Sequence, residues 1–144
     1  MKRLPRPDDA FVADRGQYAA DLILRRLAAF AGSERILGVA DLDLFTPELN
    51  FIFGLAEPGG PAVMALARLR PEFWGLPADA AILGQRANKE AVHELGHSYG
   101  LRHCRRRSCV MWFSNTLAET DAKSDAFCAE HAAQLERALG PTEL

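Results

Sequence analysis

Little in this chain is charged to excess, apolar at length, or repeated. Among 144 residues, 17 lysines and arginines nearly balance 19 acids, for a net charge of -2. That balance gives no electrostatic case for nucleic acid or for a membrane surface as partner. No apolar run approaches the roughly 20 residues of a bilayer span. The opening residues, MKRLPRPDDA, lack the apolar stretch of a secretory signal. A cytoplasmic protein is the expectation. Repeats and low-complexity tracts are absent too, so residues 1–144 are expected to form a single domain, long enough to bury a real core. Cysteine is scarce: three cannot all pair within one chain. Two of them, Cys104 and Cys109, flank an arginine run close to three histidines. In a reducing compartment, clustered thiols of this kind hold metal more often than they form disulfides.

What histidine and cysteine there is lies in one place. His93, His97, His103 and His131, with Cys104, Cys109 and Cys128, all fall between residues 93 and 131. The first three histidines sit in HELGHSYGLRH, which reads H-E-x-x-H-x-x-G-x-x-H. On a helix, residues four apart share a face, so His93 and His97 can bind one metal. Gly100 can take the left-handed conformation that bends the chain and returns His103 as a third ligand. Three neutral imidazoles leave zinc an open position for water, whereas four protein ligands close a structural site. The seven ligands therefore divide into an open site of His93, His97 and His103, and a closed site of Cys104, Cys109, Cys128 and His131. Glu94, one step round from His93, is the candidate general base and acid. Two zincs per chain are expected, one catalytic and one structural.

Along the chain, Asp14–Phe30 has helical periodicity, with Tyr18, Leu22, Ile23, Leu27 and Phe30 on one side and Gly32-Ser33 as its stop. Ile36–Val39 leading into DLDLF, Leu49–Ala56 and Ala62–Leu69 are expected as three strands, with EPGGP at 57–61 as a breaker. Residues 70–84 are expected as a surface loop. Gln85–Gly100 is expected as the ligand-bearing helix, with Ala91, Val92, Leu95 and Tyr99 as its apolar face. A last helix from about Thr120 to Leu139 ends at Gly140-Pro141. The order of helix, strands and helices predicts an α+β domain, a small mixed sheet packed against the active-site helix and the C-terminal helix. Asp41, Asp43 and Asp121 are expected in turns or caps, and Asp14 beside Arg15 as a weak ion pair. Tyr18 and Tyr99 are expected in packing roles. Trp74, Trp112 and Phe113 are candidates for lining the cleft.

The zinc string followed by Met111 resembles the metzincin metallopeptidases. More narrowly, HELGHSYGLRHCRRRSCVM together with FCAEH resembles the archaemetzincins, as do RGQY, LGVADLDLF, NFIFG and KEAVHELGH. The resemblance runs from about residue 4 to residue 131. It implies a zincin-like fold, peptide-bond hydrolysis, and Met111 as an apolar floor beneath the metal. It also implies an edge strand beside the cleft, within Asn50–Ala56 or Ala62–Leu69, that holds substrate in extended form. Aminopeptidase activity is implied for some members, without extending to this chain's specificity. Two departures stand out. The family's last cysteine is here His131, an acceptable zinc ligand. The chain also begins just before RGQY, where relatives generally carry a further segment with a strand. Either the start is assigned too late or the sheet has one strand fewer, and an uncovered edge would invite self-pairing.

The leading expectation is a zinc-dependent peptidase acting on peptides or small proteins. Two others stay open: a catalytically silent two-zinc binding or regulatory protein on the same scaffold, and zinc buffering or redox sensing through the cysteines. Oligomeric state is left undetermined.

Overall fold

The computed structural model describes residues 1–32 and 34–141. A short hairpin opens the chain: β1 (Phe11–Val12) pairs antiparallel with β2 (Gln17–Ala19) across a turn whose Gly16 has φ 65°. Helix α1 then spans Ala20–Ala31. The helix expected from Asp14 thus begins later, because Gln17, Tyr18 and Ala19 are all buried in a ladder, with β2 also parallel to β4 (Leu44–Phe45). Phe30, expected on the apolar side, is exposed. Gly32 closes α1; Ser33, expected in the same stop, lies outside the described residues.

The second sheet has the order β3-β6-β5, where β3 is Leu37–Ala40, β5 is Gly54–Ala56 and β6 is Ala62–Ala65. β6 runs parallel to β3 and antiparallel to β5, and every one of its residues is buried. Alternation along a strand sends Val63 and Ala65 into the core under α1, and Met64 to the opposite face. The one small mixed sheet expected is two, each of them mixed, and an isolated bridge pairs Leu44 of β4 with Ile52, two residues before β5. With both flanks of β6 paired, Ala62–Leu69 cannot offer a free edge. That role falls to β5.

Strands are shorter than the sequence predicts. Leu49–Phe53 stays outside β5 because its polar backbone is gripped from elsewhere: Arg15 donates to the Leu49 and Asn50 carbonyls, and Gln17 donates to Asn50 as well. Beyond Ala65 the chain tightens into 3-10 turns at Ala67–Leu69 and Pro71–Trp74. Asp41, Asp43 and Asp121 are not cap residues but carboxylates paired with Arg70, Arg68 and Arg86. No Asp14–Arg15 pair forms among the described residues. Instead the Arg15 guanidinium lies 3.8 Å over the Phe45 ring.

Helix α2 (Ala80–Ser98) starts five residues earlier than expected, where the Asp79 side chain caps the Ile82 N–H at 3.1 Å. Its Leu83, Ala87 and Ala91 pack on Phe53, Met64 and Leu69. The deepest residues of α2 are not the expected apolar ones; they are Glu90, His93, Glu94, Gly96 and Ser98. A helix that buries its polar face is organised around a site. The single C-terminal helix expected from Thr120 is two helices, α3 (Leu117–Ala122) and α4 (Ala129–Leu139), separated by extended backbone at Lys123 and Cys128. Among the described residues no helix is long and apolar enough to cross a membrane.

Candidate metal centre

The structure brings the first three histidines together at the C-terminal end of α2. Gly100 takes φ 93° and reverses the chain, with the Leu101 N–H bonded to the Gly96 carbonyl at 2.9 Å. His103 then returns so that one ring nitrogen from each of His93, His97 and His103 lies within 4.8 Å of the others. The protonation pattern follows from the outer hydrogen bonds. His93 Nδ1 faces the Val110 carbonyl and His97 Nδ1 faces the Leu101 carbonyl, each at 2.7 Å. A carbonyl only accepts, so both Nδ1 atoms carry the proton, and in a neutral ring Nε2 is bare. Burial drives His93 down to about 3 and lowers His97 as well, so both rings are neutral near pH 7. Their Nε2 atoms sit 3.1 Å apart. Two lone pairs facing at that distance repel unless a cation lies between them, and three imidazoles suit zinc. His93 is buried and His103 exposed, so the trio opens toward solvent on the His103 side.

The second cluster also assembles. One atom each of Cys104, Cys109, Cys128 and His131 lies within 4.8 Å of the rest. His131 Nε2 donates to the Arg102 carbonyl at 2.9 Å, which leaves Nδ1 bare and 3.2 Å from the Cys128 sulfur. Backbone N–H groups point at each sulfur: Arg106 at Cys104, Met111 and Cys128 at Cys109, His131 at Cys128. Such donors favour the thiolate, but at Cys104 burial outweighs the Arg106 N–H and raises the thiol. The His131 backbone N–H holds the Cys128 thiol down at about 6. Cys128 and His131 do not share a helix face as expected. Cys128 is the N-cap of α4, which is why the chain must leave the helical path before it. Three thiolates and an imidazole could hold a structural zinc.

Beside the histidines lies a cleft of about 200 Å³, bounded by 49–54, the buried face of α2, residues 113–115 and Lys123. Glu94 projects into it, 4% exposed, with Oε1 4.0 Å from His93 Nε2 and Oε2 lacking any partner. Burial, and then the charge of Glu90, raise its carboxyl well above the ordinary range. Space for that side chain is made by Gly54, whose missing Cβ would sit 2.6 Å from Glu94 Cγ. Beneath the site Met111, fully buried, occupies the room left by Gly96, where a Cβ would come within 2.6 Å of the sulfur.

The sequence profile of peptidase family M54 matches residues 3–137. The chain belongs to this family. Its members, the archaemetzincins, are zinc metallopeptidases, and so is this chain by membership. It is 46% identical over 130 residues to the archaemetzincin of Pyrococcus furiosus, covering 88% of this chain and 68% of that one. It is 42% identical over 137 residues to that of Methanocaldococcus jannaschii, covering 94% and 75%. Among solved structures, the archaemetzincin of Methanopyrus kandleri superposes with a TM-score of 0.84 at 43% identity, covering 93% of this chain and 72% of that one. A zinc-dependent peptidase from Methanocorpusculum labreanum gives 0.86 at 35% identity, covering 88% and 78%.

Within this archaemetzincin, the seven expected ligands fall in the two clusters and Glu94 lies beside the first. Phe113 lines the cleft and lies 4.9 Å from the His103 ring. Trp74 does not line it; its indole N–H donates to the Arg68 carbonyl. Trp112 lies beneath the Arg107 guanidinium, outside the cleft. Tyr18 is buried, with its hydroxyl accepting from Arg6 at 2.9 Å, whereas Tyr99 is half-buried under Arg35. Sequence reasoning missed Glu90 and Lys123. Glu90 was findable, standing one helical turn before Glu94 on the same face. Nothing in the sequence marks Lys123 as buried. Arg15 was expected only in a weak ion pair and, with Gln17, in a familiar string; the two pin the 49–50 wall of the cleft.

Proposed function

We propose that residues 1–144 form one zinc metallopeptidase domain in which His93, His97 and His103 hold the catalytic zinc. Cys104, Cys109, Cys128 and His131 hold a second, structural zinc. The substrate is a peptide or small protein, laid in extended form along the free edge of β5. The observation that carries this reading is the pair of bare His93 and His97 Nε2 atoms 3.1 Å apart, with Glu94 Oε1 4.0 Å from the first of them.

When bound, zinc supplies Lewis acidity, polarising a carbonyl and lowering the pKa of water. Glu94 supplies the proton traffic. Its raised proton affinity suits a base that must take a proton and later return it. As the water oxygen bonds to the carbonyl carbon, Glu94 accepts the water proton. As the C–N bond breaks, Glu94 hands that proton to the leaving amine. Val110 and Leu101, through their carbonyls, keep His93 and His97 in the tautomer that leaves Nε2 free. β5 gives backbone hydrogen bonds to the substrate, which add affinity with little side-chain selectivity.

The test is cleavage of a diverse peptide mixture by zinc-loaded protein, read by mass spectrometry beside Glu94→Ala. Cuts made by the first and absent from the second are expected. Silence from both, with zinc bound at both clusters, would overturn the catalytic assignment and leave a two-zinc binding or regulatory protein. The termini and sizes of the fragments also report whether cutting starts at the amino end or internally.

A further inference from the structure

The inner wall of the cleft carries a charge pair that the peptidase reading does not use. Glu90 is 3% exposed and Lys123 2%, and both line the cleft. The two are not hydrogen-bonded to each other: Lys123 Nζ stands 3.8 Å from Glu90 Oε1. Glu90 Oε1 has no hydrogen bond, with the likewise unbonded Thr120 hydroxyl beside this carboxylate, and the hydroxyl of Ser114, another lining residue, has none either. The lysine spends one of its three donors on the Trp112 carbonyl at 3.0 Å. Its 3.5 Å approach to His93 Nδ1 takes no other, because that nitrogen already carries a proton given to Val110. The wall therefore offers an unspent acceptor and unspent donors side by side.

The contents of such a pocket follow by elimination. An aliphatic side chain would seal Glu90 and Ser114 away from water with nothing to bond, and unpaired buried polar groups discriminate strongly. An acidic side chain would meet Lys123 but be repelled by Glu90 and Glu94. A basic one would meet the carboxylates but bring a second cation against Lys123 and, having donors only, leave the unspent lysine donors without an acceptor. A side-chain amide carries an N–H donor and a carbonyl acceptor without net charge. We propose that this cleft is a subsite for a glutamine or asparagine side chain, the amide N–H donating to Glu90 and the amide oxygen accepting from Lys123. Of the zinc histidines only His93 borders the cleft, and Glu94, the donor to the leaving amine, projects into it. The amide residue is therefore the one that contributes the leaving amine.

This inference rests on the peptidase reading, and its test separates the two. Hydroxamates carrying a single glutamine, leucine, glutamate or lysine side chain are titrated calorimetrically into the zinc-loaded protein, with acetohydroxamate as the side-chain-free reference. The glutamine compound is expected to bind roughly tenfold tighter than each of the other three. In Glu90→Gln, where Lys123 loses its counter-charge, the glutamate compound should overtake it. Equal binding of all four, or a leucine, glutamate or lysine compound binding best to the parent protein, overturns the subsite alone. An unchanged ranking in folded Glu90→Gln also overturns it. Failure of acetohydroxamate to bind overturns the peptidase reading and the subsite with it.

Discussion

Replacing Gly54 by alanine tests whether Glu94 works from the position it holds here. The added Cβ would lie 2.6 Å from Glu94 Cγ and 2.8 Å from both Cδ and Oε1. Carbon atoms rest at about 3.5–4.0 Å, so the glutamate arm must withdraw by about 1 Å. It has little room, being 4% exposed. Nor can Gly54 easily yield, because it pairs with Met64 in the β5–β6 ladder. Overpacking of this kind costs about 1–3 kcal/mol in stability. A displacement of about 1 Å at a reacting group costs on the order of a hundredfold in rate. The three atoms nearest the new methyl all belong to Glu94, so zinc content should hold. The assay combines zinc per chain by atomic absorption, a urea melt, and kcat on a peptide identified from the mixture. The expected result is kcat lower by about two orders of magnitude with zinc retained. A kcat within about twofold of the parent, zinc retained, would refute the placement of Glu94 as the working base.

Gly96→Ala should act on stability instead. It gains up to about 1 kcal/mol of helix propensity but drives a methyl to 2.6 Å from the buried Met111 sulfur. Overpacking at about 1–3 kcal/mol wins, and a urea melt showing stabilisation would contradict the Met111 floor. The metal-free protein should weaken on acidification. His93 binds its proton at about 3 when folded and near 6.5 when unfolded. Between those values the unfolded chain holds more protons, so stability falls as pH falls. From pH 7 to 5 the loss from His93 alone is about 2 kcal/mol, and urea midpoints that stay flat across that window would refute it. His131→Ala removes one wall of the sulfur cluster and should leave one zinc fewer per chain with a lower melting temperature. An unchanged zinc count would show that His131 is not a ligand.

The site was more legible in the sequence than the fold was. Ligand chemistry is written in residue types that do little else when clustered, and seven of them at these spacings admit few arrangements. Strand and helix limits depend on partners far away in the chain. Gln17–Ala19 has helical periodicity but is held as strand by β1 and β4. Residues 120–139 have the composition of one helix. Two side chains break it, because Lys123 turns inward beside Glu90 and Cys128 turns to the sulfur cluster. Asp79 as a cap was readable and would have moved the start of α2 to its true place. The depth of Glu90 and Lys123 was not readable, since a charged pair reads as surface until the opposing wall is known.

His103 and Cys104 are neighbours in sequence, yet they belong to different clusters. Among the described residues a carbonyl anchors the rings of His93 and His97, while the exposed His103 ring has no such hydrogen bond and rests against the rings of His93, His97 and Phe113. Under the proposed ligand sets, its place is set by the residue that follows it. The four-ligand cluster should therefore fill first, and in filling it should preset the third histidine for the other ion. By linkage, occupancy of the open cluster tightens the closed one by the same factor. Zinc uptake should then be cooperative, with a chelator stripping the ions in reverse order and the first loss loosening the second.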